Sequence, residues 1–345
     1  MRILVFEFVT GGGLAGRAVP RSLAREGLAM RTALIEDLAA IGTHAIVATT
    51  DVRFSRTAPP TVSMVSIDPV ARGSQASARI HQLVDSCDAV WLLAPETNRC
   101  LERMAAGIER RGTILLGSCA AAVRRAADKS RLPGLLARAG IPHPETAVIA
   151  AGSNGRAAAS RIGYPVVVKP ARGAGCAGVR LARSARELGS AIEAGRRANG
   201  IGPLVMQRYL LGQAASVSLV ADGHRAVPIA VNAQRVTAAA AFSYRGGSTP
   251  LDHPLADAAA LAASRTCAAI PGLRGYVGVD LVLTDSGPAV IEVNPRLTMS
   301  YLGLRVALEE NVAVMALEAC AGRLPVRPLA RHRARFTASG RVASS

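Results

Sequence analysis

The sequence predicts an α/β protein in which an N-terminal doubly wound parallel sheet precedes a two-lobed α+β domain. Within residues 1–125, short apolar runs alternate with amphipathic stretches, which is typical of βαβ units. From residue 126 onward, strands separated by short turns replace that alternation. Half of the 345 residues are hydrophobic, so the chain has enough apolar surface for more than one core.

The first unit, residues 1–125, opens with an apolar run and then the pattern Gly11-x-Gly13-x-x-Gly16. Further strands are predicted over 45–49, 88–94 and 113–117, with helices over about 22–41 and 97–111. The glycine pattern matches a dinucleotide fingerprint, but the second strand reaches its acid, Asp51, much later than that motif requires. A NAD-binding oxidoreductase therefore remains an alternative to a tight turn that approaches a ligand or another loop.

The second unit, residues 126–325, contains a helix over 129–139 and a predicted lid over about 145–210. After the lid, strands are predicted over 216–221, 226–232, 277–283 and 289–293, with helices over 254–269 and 302–321. Residues 326–345 are rich in arginine and serine, and we predict a solvated, disordered tail there.

Composition and charge exclude several classes of protein. The formal charge of +17 comes from basic residues spread along the whole chain, without zinc-finger spacing or an aromatic RNA-binding motif. This distribution favours anionic small-molecule substrates over a nucleic-acid partner. The sequence contains no run of 18 apolar residues, so we predict neither a transmembrane helix nor a membrane partner. The six cysteines are scattered, which is typical of a reducing compartment, so we expect a cytoplasmic protein.

Lysine usage and a glycine-rich loop after Lys169 mark a predicted phosphate site. Of 41 basic residues only Lys129 and Lys169 are lysines, which suggests that these positions need a compact ammonium group. Lys169 ends a predicted strand, and Gly173, Gly175 and Gly178 follow it. Backbone N–H groups of such a loop can surround anionic oxygens while the lysine supplies charge. The lysine precedes the glycines, so this is not a Walker loop.

Two acids and an amide mark a predicted metal site. Asp280 lies in one apolar strand, and Glu292 and Asn294 share one face of the next. Charged groups inside strands are costly unless they are paired or bound to a metal. If the two strands pair, these three residues offer oxygen ligands suited to Mg²⁺, or Mn²⁺, bridging nucleotide phosphates.

Together, these motifs resemble those of the ATP-grasp superfamily over residues 128–322. The resemblance implies ATP as cosubstrate, with phosphates bound by both lysines and the glycine loop, and Mg²⁺ bound by Asp280, Glu292 and Asn294. It also implies that Lys169 and Arg296 are catalytic, with Arg296 steadying an acyl phosphate. The hinge strand would bind adenine through Gln207, Tyr209 and Leu210. Many members carry acids where this chain has Gln207 and Ala214, so the ribose contacts stay open.

A narrower resemblance rests on the segments 6–13, 93–97, 215–219, 232–234, 246–250 and 294–303. They look like the branch of tyramine–glutamate ligases, which act in methanofuran and methylofuran biosynthesis. That branch joins the γ-carboxylate of L-glutamate to an aromatic amine, either tyramine or, in a bacterial relative, tyrosine. An ATP-grasp ligase for another amino acid or peptide remains an alternative, and a homo-oligomer stays open. The implied substrate contacts are Gly12, Gly13, Ser216, Ser218, Gln234, Thr298, Ser300 and Tyr301.

Overall fold

The structure, a computed structural model, describes residues 1–54, 58–68, 73–199 and 202–344. In these residues the chain forms a parallel sheet, a small antiparallel sheet and a large antiparallel sheet, in that order. This confirms the predicted fold class. No helix in the described ranges is long and apolar enough to cross a membrane.

The first sheet is parallel and has the strand order β3-β2-β1-β4-β5. Its strands are β1 (Arg2–Glu7), β2 (Ala45–Asp51), β3 (Val62–Ile67), β4 (Ala89–Leu93) and β5 (Ile114–Leu115). The helices are α1 (Arg21–Ile41), α2 (Gly73–Asp85), α3 (Cys100–Arg110) and α4 (Ala120–Ala126). The central strands β1 and β4 are buried on both faces, as expected for a parallel sheet covered by helices.

The lid is a four-stranded antiparallel sheet with the strand order β6-β9-β7-β8. After α5 (Leu132–Arg138), it contains β6 (Thr146–Ile149), α6 (Arg156–Ile162), β7 (Val166–Pro170), β8 (Arg180–Ala182), α7 (Ala185–Asn199) and β9 (Leu204–Arg208). Its two helices pack on one face of the sheet, and residues such as Ile162, Leu188 and Met206 fill a separate small core. The lid therefore has its own hydrophobic core.

The large sheet has seven strands in the order β14-β13-β10-β11-β12-β15-β16. Its odd-numbered β10 residues, such as Val217 and Leu219, pack toward α8, while the even-numbered face turns toward the first domain. The polar strand residues therefore lie on the face opposite α8. The strands are β10 (Gln213–Asp222), β11 (Ala226–Ala238), β12 (Phe242–Thr249), β13 (Arg274–Thr284), β14 (Gly287–Asn294), β15 (Ala334–Thr337) and β16 (Val342–Ser344), and the helices are α8 (Ala256–Ala268), α9 (Ser300–Ala307) and α10 (Val312–Cys320).

The expectation of a disordered tail is wrong for residues 334–344. Strand β15 pairs with β12, and β16 pairs with β15. Phe336 is only 1% exposed and lies over two glycines: a Cβ at Gly303 would come within 2.5 Å of its ring, and one at Gly247 within 3.0 Å. The tail is therefore ordered although its composition is polar. The burial of one aromatic side chain against two glycines offsets the conformational entropy lost when the strand forms.

The predicted helix over 302–321 is two helices, α9 and α10. Asn311 begins α10, since its side-chain oxygen accepts hydrogen bonds from the backbone N–H groups of Ala313 and Val314. Its amide also donates to the Asp37 carbonyl, at 2.9 Å, which ties the break to α1. An N-cap asparagine is a local signal for a new helix start.

We expect Phe336→Ala to lower the free energy of unfolding by about 3–5 kcal/mol, because it empties a fully buried aromatic site. Urea unfolding followed by the fluorescence of Trp91, which lies in the same hydrophobic core, measures this change. Leu329→Ala is the control in the same tail: its side chain is 82% exposed, so the change should be within about 0.5 kcal/mol. Equal unfolding midpoints for the two variants would contradict the assigned packing of the tail.

Candidate active site

The candidate site lies where the glycine loop of the lid, the polar face of the large sheet and the carboxyl ends of β1 and β4 meet. Ala174 of the glycine loop donates its N–H to the Thr97 hydroxyl, at 3.3 Å, just beyond β4. Arg296, after β14, reaches Glu96 in the same segment. In doubly wound sheets, ligands bind at the carboxyl ends of the strands, so this edge is the expected place for a site.

The acids of the large sheet form a half-buried pair. Asp280 on β13 lies directly opposite Glu292 on β14. The Gln234 side-chain amide donates to Asp280 Oδ1, at 2.8 Å, and that of Asn294 donates to Oδ2, at 2.9 Å. Burial, and then the charge of Glu292, raises the pKa of Asp280 to about 7. Two carboxylates on opposite positions of adjacent strands, both partly removed from water, are stabilised by a cation between or beside them.

Asp280, Glu292 and Asn294 fit a divalent metal of the Mg²⁺ type. Within the described ranges, no cluster of three or more His, Cys, Asp or Glu side chains is placed to hold a metal alone. Mg²⁺ commonly uses one or two protein carboxylates, and phosphate oxygens and water complete its shell. A pair of carboxylates with a neighbouring amide oxygen, and with a raised carboxyl pKa that the ion would relieve, matches that requirement.

Both lysines converge on these acids from different elements. Lys129, between α4 and α5, donates from Nζ to the Gly173 carbonyl at 3.0 Å and lies 3.2 Å from Glu292 Oε1. Its backbone N–H donates to Ala171, which fixes the loop against the lid. Lys169, on β7, is buried, and burial lowers its pKa to about 8. No described residue accepts a hydrogen bond from Lys169 Nζ, so this ammonium is available for an anionic ligand.

The three loop glycines have different surroundings. Gly173 accepts the Lys129 hydrogen bond, and Gly175 adopts φ +66° with open space where a Cβ would be. Gly178 instead faces α7, since a Cβ there would lie 2.6 Å from the Ala198 Cβ. The first two are therefore free of close packing, and Gly173 contacts the predicted phosphate lysine, while packing explains the third.

The hinge strand β9 lies between β6 and β7, and its residues are mostly engaged by those strands. Gln207 is buried, and its side-chain amide donates to the Thr146 hydroxyl at 3.0 Å. The Tyr209 N–H donates to the Pro165 carbonyl at 3.0 Å. Of the three predicted adenine contacts, Leu210 is the one whose backbone N–H has no backbone acceptor in the described residues.

Arg296 is paired rather than free. Its Nε and Nη2 donate to the two Glu96 carboxylate oxygens, at 2.8 and 2.9 Å, and Nη1 donates to the Leu297 carbonyl. This bidentate pair joins the first domain to the end of β14 and fixes the guanidinium in the cleft. The sequence analysis included Glu96 in the segment 93–97 but did not predict it as a site residue. An acid just after a strand of a parallel sheet could have indicated this role, because ligands bind at that edge.

Four predicted substrate residues come together in a hydrogen-bonded network. Tyr276, which the sequence analysis missed, contacts the Ser218 and Thr298 hydroxyls at 2.8 and 3.0 Å. Asn232, also missed, donates to Ser216 and Ser218, and its own side-chain oxygen has no partner. Most of these groups are buried, so in this structure they hold one another in place. The network comprises Ser216, Ser218, Asn232, Tyr276, Thr298 and Ser300.

Tyr301 was predicted as a substrate contact, and the structure contradicts this. Its side chain is fully buried, and its hydroxyl donates to Asp37 Oδ2 at 2.5 Å. The same Asp37 carboxylate accepts a bond from Arg305 Nε at 2.7 Å. Tyr301 begins α9 on the side that packs against α1, so it stabilises the domain contact instead of facing the cleft.

The glycines after β1 pack against protein groups. A Cβ at Gly12 would come within 2.6 Å of Ile67, and one at Gly13 within 2.3 Å of the Phe8 ring. At Gly11 it would lie 2.3 Å from the Glu7 carbonyl oxygen. Gly12 and Gly13, predicted as substrate contacts, are thus explained by internal packing. The turn interpretation of the pattern fits this geometry better than a dinucleotide-binding loop.

Comparison with known families follows the same division of the chain. Residues 126–300 match the model of the ATP-grasp domain, and residues 44–123 match that of the pre ATP-grasp 3 domain.

Solved structures with the same fold cover nearly the whole chain. An ATP-grasp superfamily protein from Archaeoglobus fulgidus is 24% identical, with a TM-score of 0.70 over 97% of this chain and 92% of that one. The biotin carboxylase domain of Hydrogenobacter thermophilus 2-oxoglutarate carboxylase, solved with MgADP and bicarbonate, is 16% identical, with a TM-score of 0.75 over 97% and 73%. A D-Ala:D-Ser ligase from Enterococcus faecalis is 17% identical, with a TM-score of 0.61 over 85% and 90%. These similarities establish the fold.

We expect Lys169→Ala to reduce MgATP turnover roughly 10²-fold or more, because it removes a charge-stabilising group from the candidate phosphate site. Lys129→Ala should have a similar effect. Arg183→Ala, a half-exposed basic residue of the same lid, is the control and should keep turnover. Initial rates are compared with melting temperatures, so that loss of the fold is recognised. Normal ATP turnover in the Lys129→Ala/Lys169→Ala double variant would refute the phosphate assignment.

The raised pKa of Asp280 predicts a pH-dependent stability in metal-free protein. Between the ordinary value of 3.8 and about 7, the folded protein keeps a proton that the unfolded chain has released. The contribution of Asp280 to stability therefore falls as pH rises through this window, by up to about 1.4 kcal/mol per pH unit. Asp280→Asn should remove this slope, which urea unfolding in EDTA at pH 4.5 to 7.5 measures. A constant difference between wild type and variant would contradict the assignment.

Proposed function

Because the chain belongs to the ATP-grasp family, we propose that it is an ATP-dependent ligase that joins a carboxylate to an amine through an acyl phosphate. The observation that carries this proposal is the half-buried Asp280–Glu292 pair, which lies close to two buried lysines from separate elements. Acids suited to a metal and lysines suited to phosphate are otherwise hard to explain at the same buried place.

The polyphosphate of ATP would lie between the glycine loop and the acid pair. Lys169 supplies an unpaired ammonium, and Lys129 bridges the loop to Glu292, so both can neutralise charge on the transferring phosphoryl group. Mg²⁺ held by Asp280, Glu292 and Asn294 would neutralise further phosphate charge. The free N–H of Leu210 at the hinge offers a donor to the adenine ring. The structure of the H. thermophilus relative with MgADP supports this class of ligand.

The chemistry proceeds in two displacements. A substrate carboxylate oxygen attacks the γ-phosphorus, and ADP departs. The amine nitrogen then attacks the acyl carbon, and the C–O bond to phosphate breaks. Of the three protons of an ammonium substrate, the amide keeps one, phosphate leaves with one and water takes one. The protein contributes positioning and electrostatics, with Arg296 held by Glu96 beside the acyl phosphate, and the lid excludes water that would hydrolyse it.

The proposed substrates are the γ-carboxylate of L-glutamate and an aromatic amine, tyramine or tyrosine, in methylofuran-type cofactor biosynthesis. The support for these substrates is the resemblance of the segments at 6–13 and 294–303, together with the arginine-rich composition, which favours anionic substrates. We also propose that the enzyme acts in the cytoplasm. The similarity to a D-Ala:D-Ser ligase supports amide formation between amino acids as a class.

We expect phosphate release from ATP to require both glutamate and an aromatic amine, and the product to be a γ-glutamyl amide. Mass spectrometry of reactions with tyramine, tyrosine, phenethylamine and alanine identifies the acceptor. A site that hydrogen-bonds the phenol should reject phenethylamine strongly, whereas an apolar slot would accept it with little loss.

Glu292→Gln is the inactive reference for this assay, since it removes a proposed metal ligand. Equal incorporation of alanine and tyramine would refute the aromatic acceptor while leaving a ligase of another amino acid. ATP-dependent product from none of the acids and amines tested would refute the ligase proposal itself.

A further inference from the structure

A second cleft lies beside the candidate site, between α1 and the carboxyl ends of β1 and β4. The space between its walls, including space open to solvent, is about 420 Å³, and Ala174 of the glycine loop and Arg296 form its inner side. The outer walls are mostly aliphatic. They come from Val9, Leu23, Met30, Leu93 and Leu297.

Two carboxylates, Glu7 and Glu26, line this cleft, and a third, that of Glu96, binds the Arg296 side chain of its wall. Glu7 is buried and accepts hydrogen bonds from the Val9 N–H, the Thr10 N–H and the Thr10 hydroxyl, at 2.6 to 2.9 Å. Glu96 is bound bidentately by Arg296. Glu26, on the second turn of α1, has no hydrogen bond or ion pair with any described residue. It is therefore the carboxylate in this cleft that a ligand can bind.

Glu26 lines the same cleft as Ala174 and Arg296, which belong to the candidate site. Its negative charge adds to the raised pKa values of Cys176 in the glycine loop and Tyr244 on β12, for which burial is the larger cause. Burial also raises the pKa of Glu26 itself, while Arg296 acts in the opposite direction. A partly buried carboxylate without a partner is stabilised by any cation that can reach it.

We propose that Glu26 binds the ammonium group of the amine substrate, while the aliphatic walls hold its apolar body. This assignment rests on the proposed ligase function and adds the group that recognises the acceptor. The two substrates have opposite charge requirements, because the acid donor must approach the lysines and the amine must be attracted as a cation. An unpaired carboxylate in an apolar cleft disfavours the anionic donor and favours a primary ammonium on an apolar body.

Calorimetric binding tests this assignment without requiring turnover. Tyramine, its uncharged analogue 4-ethylphenol, and glutamate are titrated into wild type and Glu26→Gln in the presence of MgADP. Glu26→Gln should weaken tyramine binding by at least roughly 30-fold, the size expected for loss of one partner of a desolvated charge pair. Binding of 4-ethylphenol and glutamate should change less than about threefold. Glu36→Gln, a half-exposed acid farther along the same helix, is the matched control and should bind tyramine like wild type.

Three outcomes overturn the assignment of Glu26 to the amine site. Equal tyramine affinity in wild type and Glu26→Gln removes Glu26 from the amine site. Weakened glutamate binding with unchanged tyramine binding places Glu26 at the donor instead. Equal loss of tyramine and 4-ethylphenol shows that the substitution disturbs the cleft and not a charge contact. Charge-dependent tyramine binding in a protein that forms no amide would uphold the Glu26 site and refute the proposed reaction, so the two failures are distinguishable.

Discussion

The arrangement of the site depends on one electrostatic constraint, the half-buried pair of Asp280 and Glu292, which lie opposite each other on adjacent strands. Burial and mutual repulsion raise the pKa of Asp280, and two amides and Lys129 offset only part of this cost. Such a pair persists in a folded protein only where surrounding groups supply positive charge or hydrogen bonds. The positions of the lysines, the glycine loop and the neighbouring amides are all consistent with that requirement.

The groups that surround this acid pair come from parts of the chain that are remote in sequence. Lys129 comes from the loop between α4 and α5, Lys169 from the lid, and Glu292 from the large sheet. The Glu96–Arg296 pair adds the first domain. Because buried, bidentate charge pairs hold their partners in one geometry, this contact fixes the cleft wall while the lid remains a separate unit with its own core.

The first domain is held at this edge by a second buried acid. Glu7 ends β1 and binds the turn that follows it, and its carboxylate lies against Gly27 of α1, where a Cβ would come within 2.7 Å. Buried Arg31 bonds the Thr10 and Thr49 carbonyls nearby. This packing sets the position of α1, and hence of Glu26, relative to the glycine loop. The hydrogen-bonded Glu7 thus helps to determine where Glu26, the acid of the second cleft without a partner among the described residues, is placed.

By itself, the sequence determined the fold class, and it predicted the lid and the residues of the candidate metal and phosphate sites. These features are local: strand alternation, a lysine before a glycine loop, and acids inside apolar strands all follow from neighbours along the chain. Only the tertiary structure decided which side chains are free. Tyr301 is hydrogen-bonded to Asp37 and Arg296 to Glu96, and in both pairs the partners are at least 200 residues apart in the sequence. Glu26 has no hydrogen-bond or ion-pair partner among the described residues. Sequence neighbours reveal neither the long-range pairs nor the lack of a partner. The ordered tail has the same cause, since the socket for Phe336 is built from Gly247 and Gly303 of two other elements.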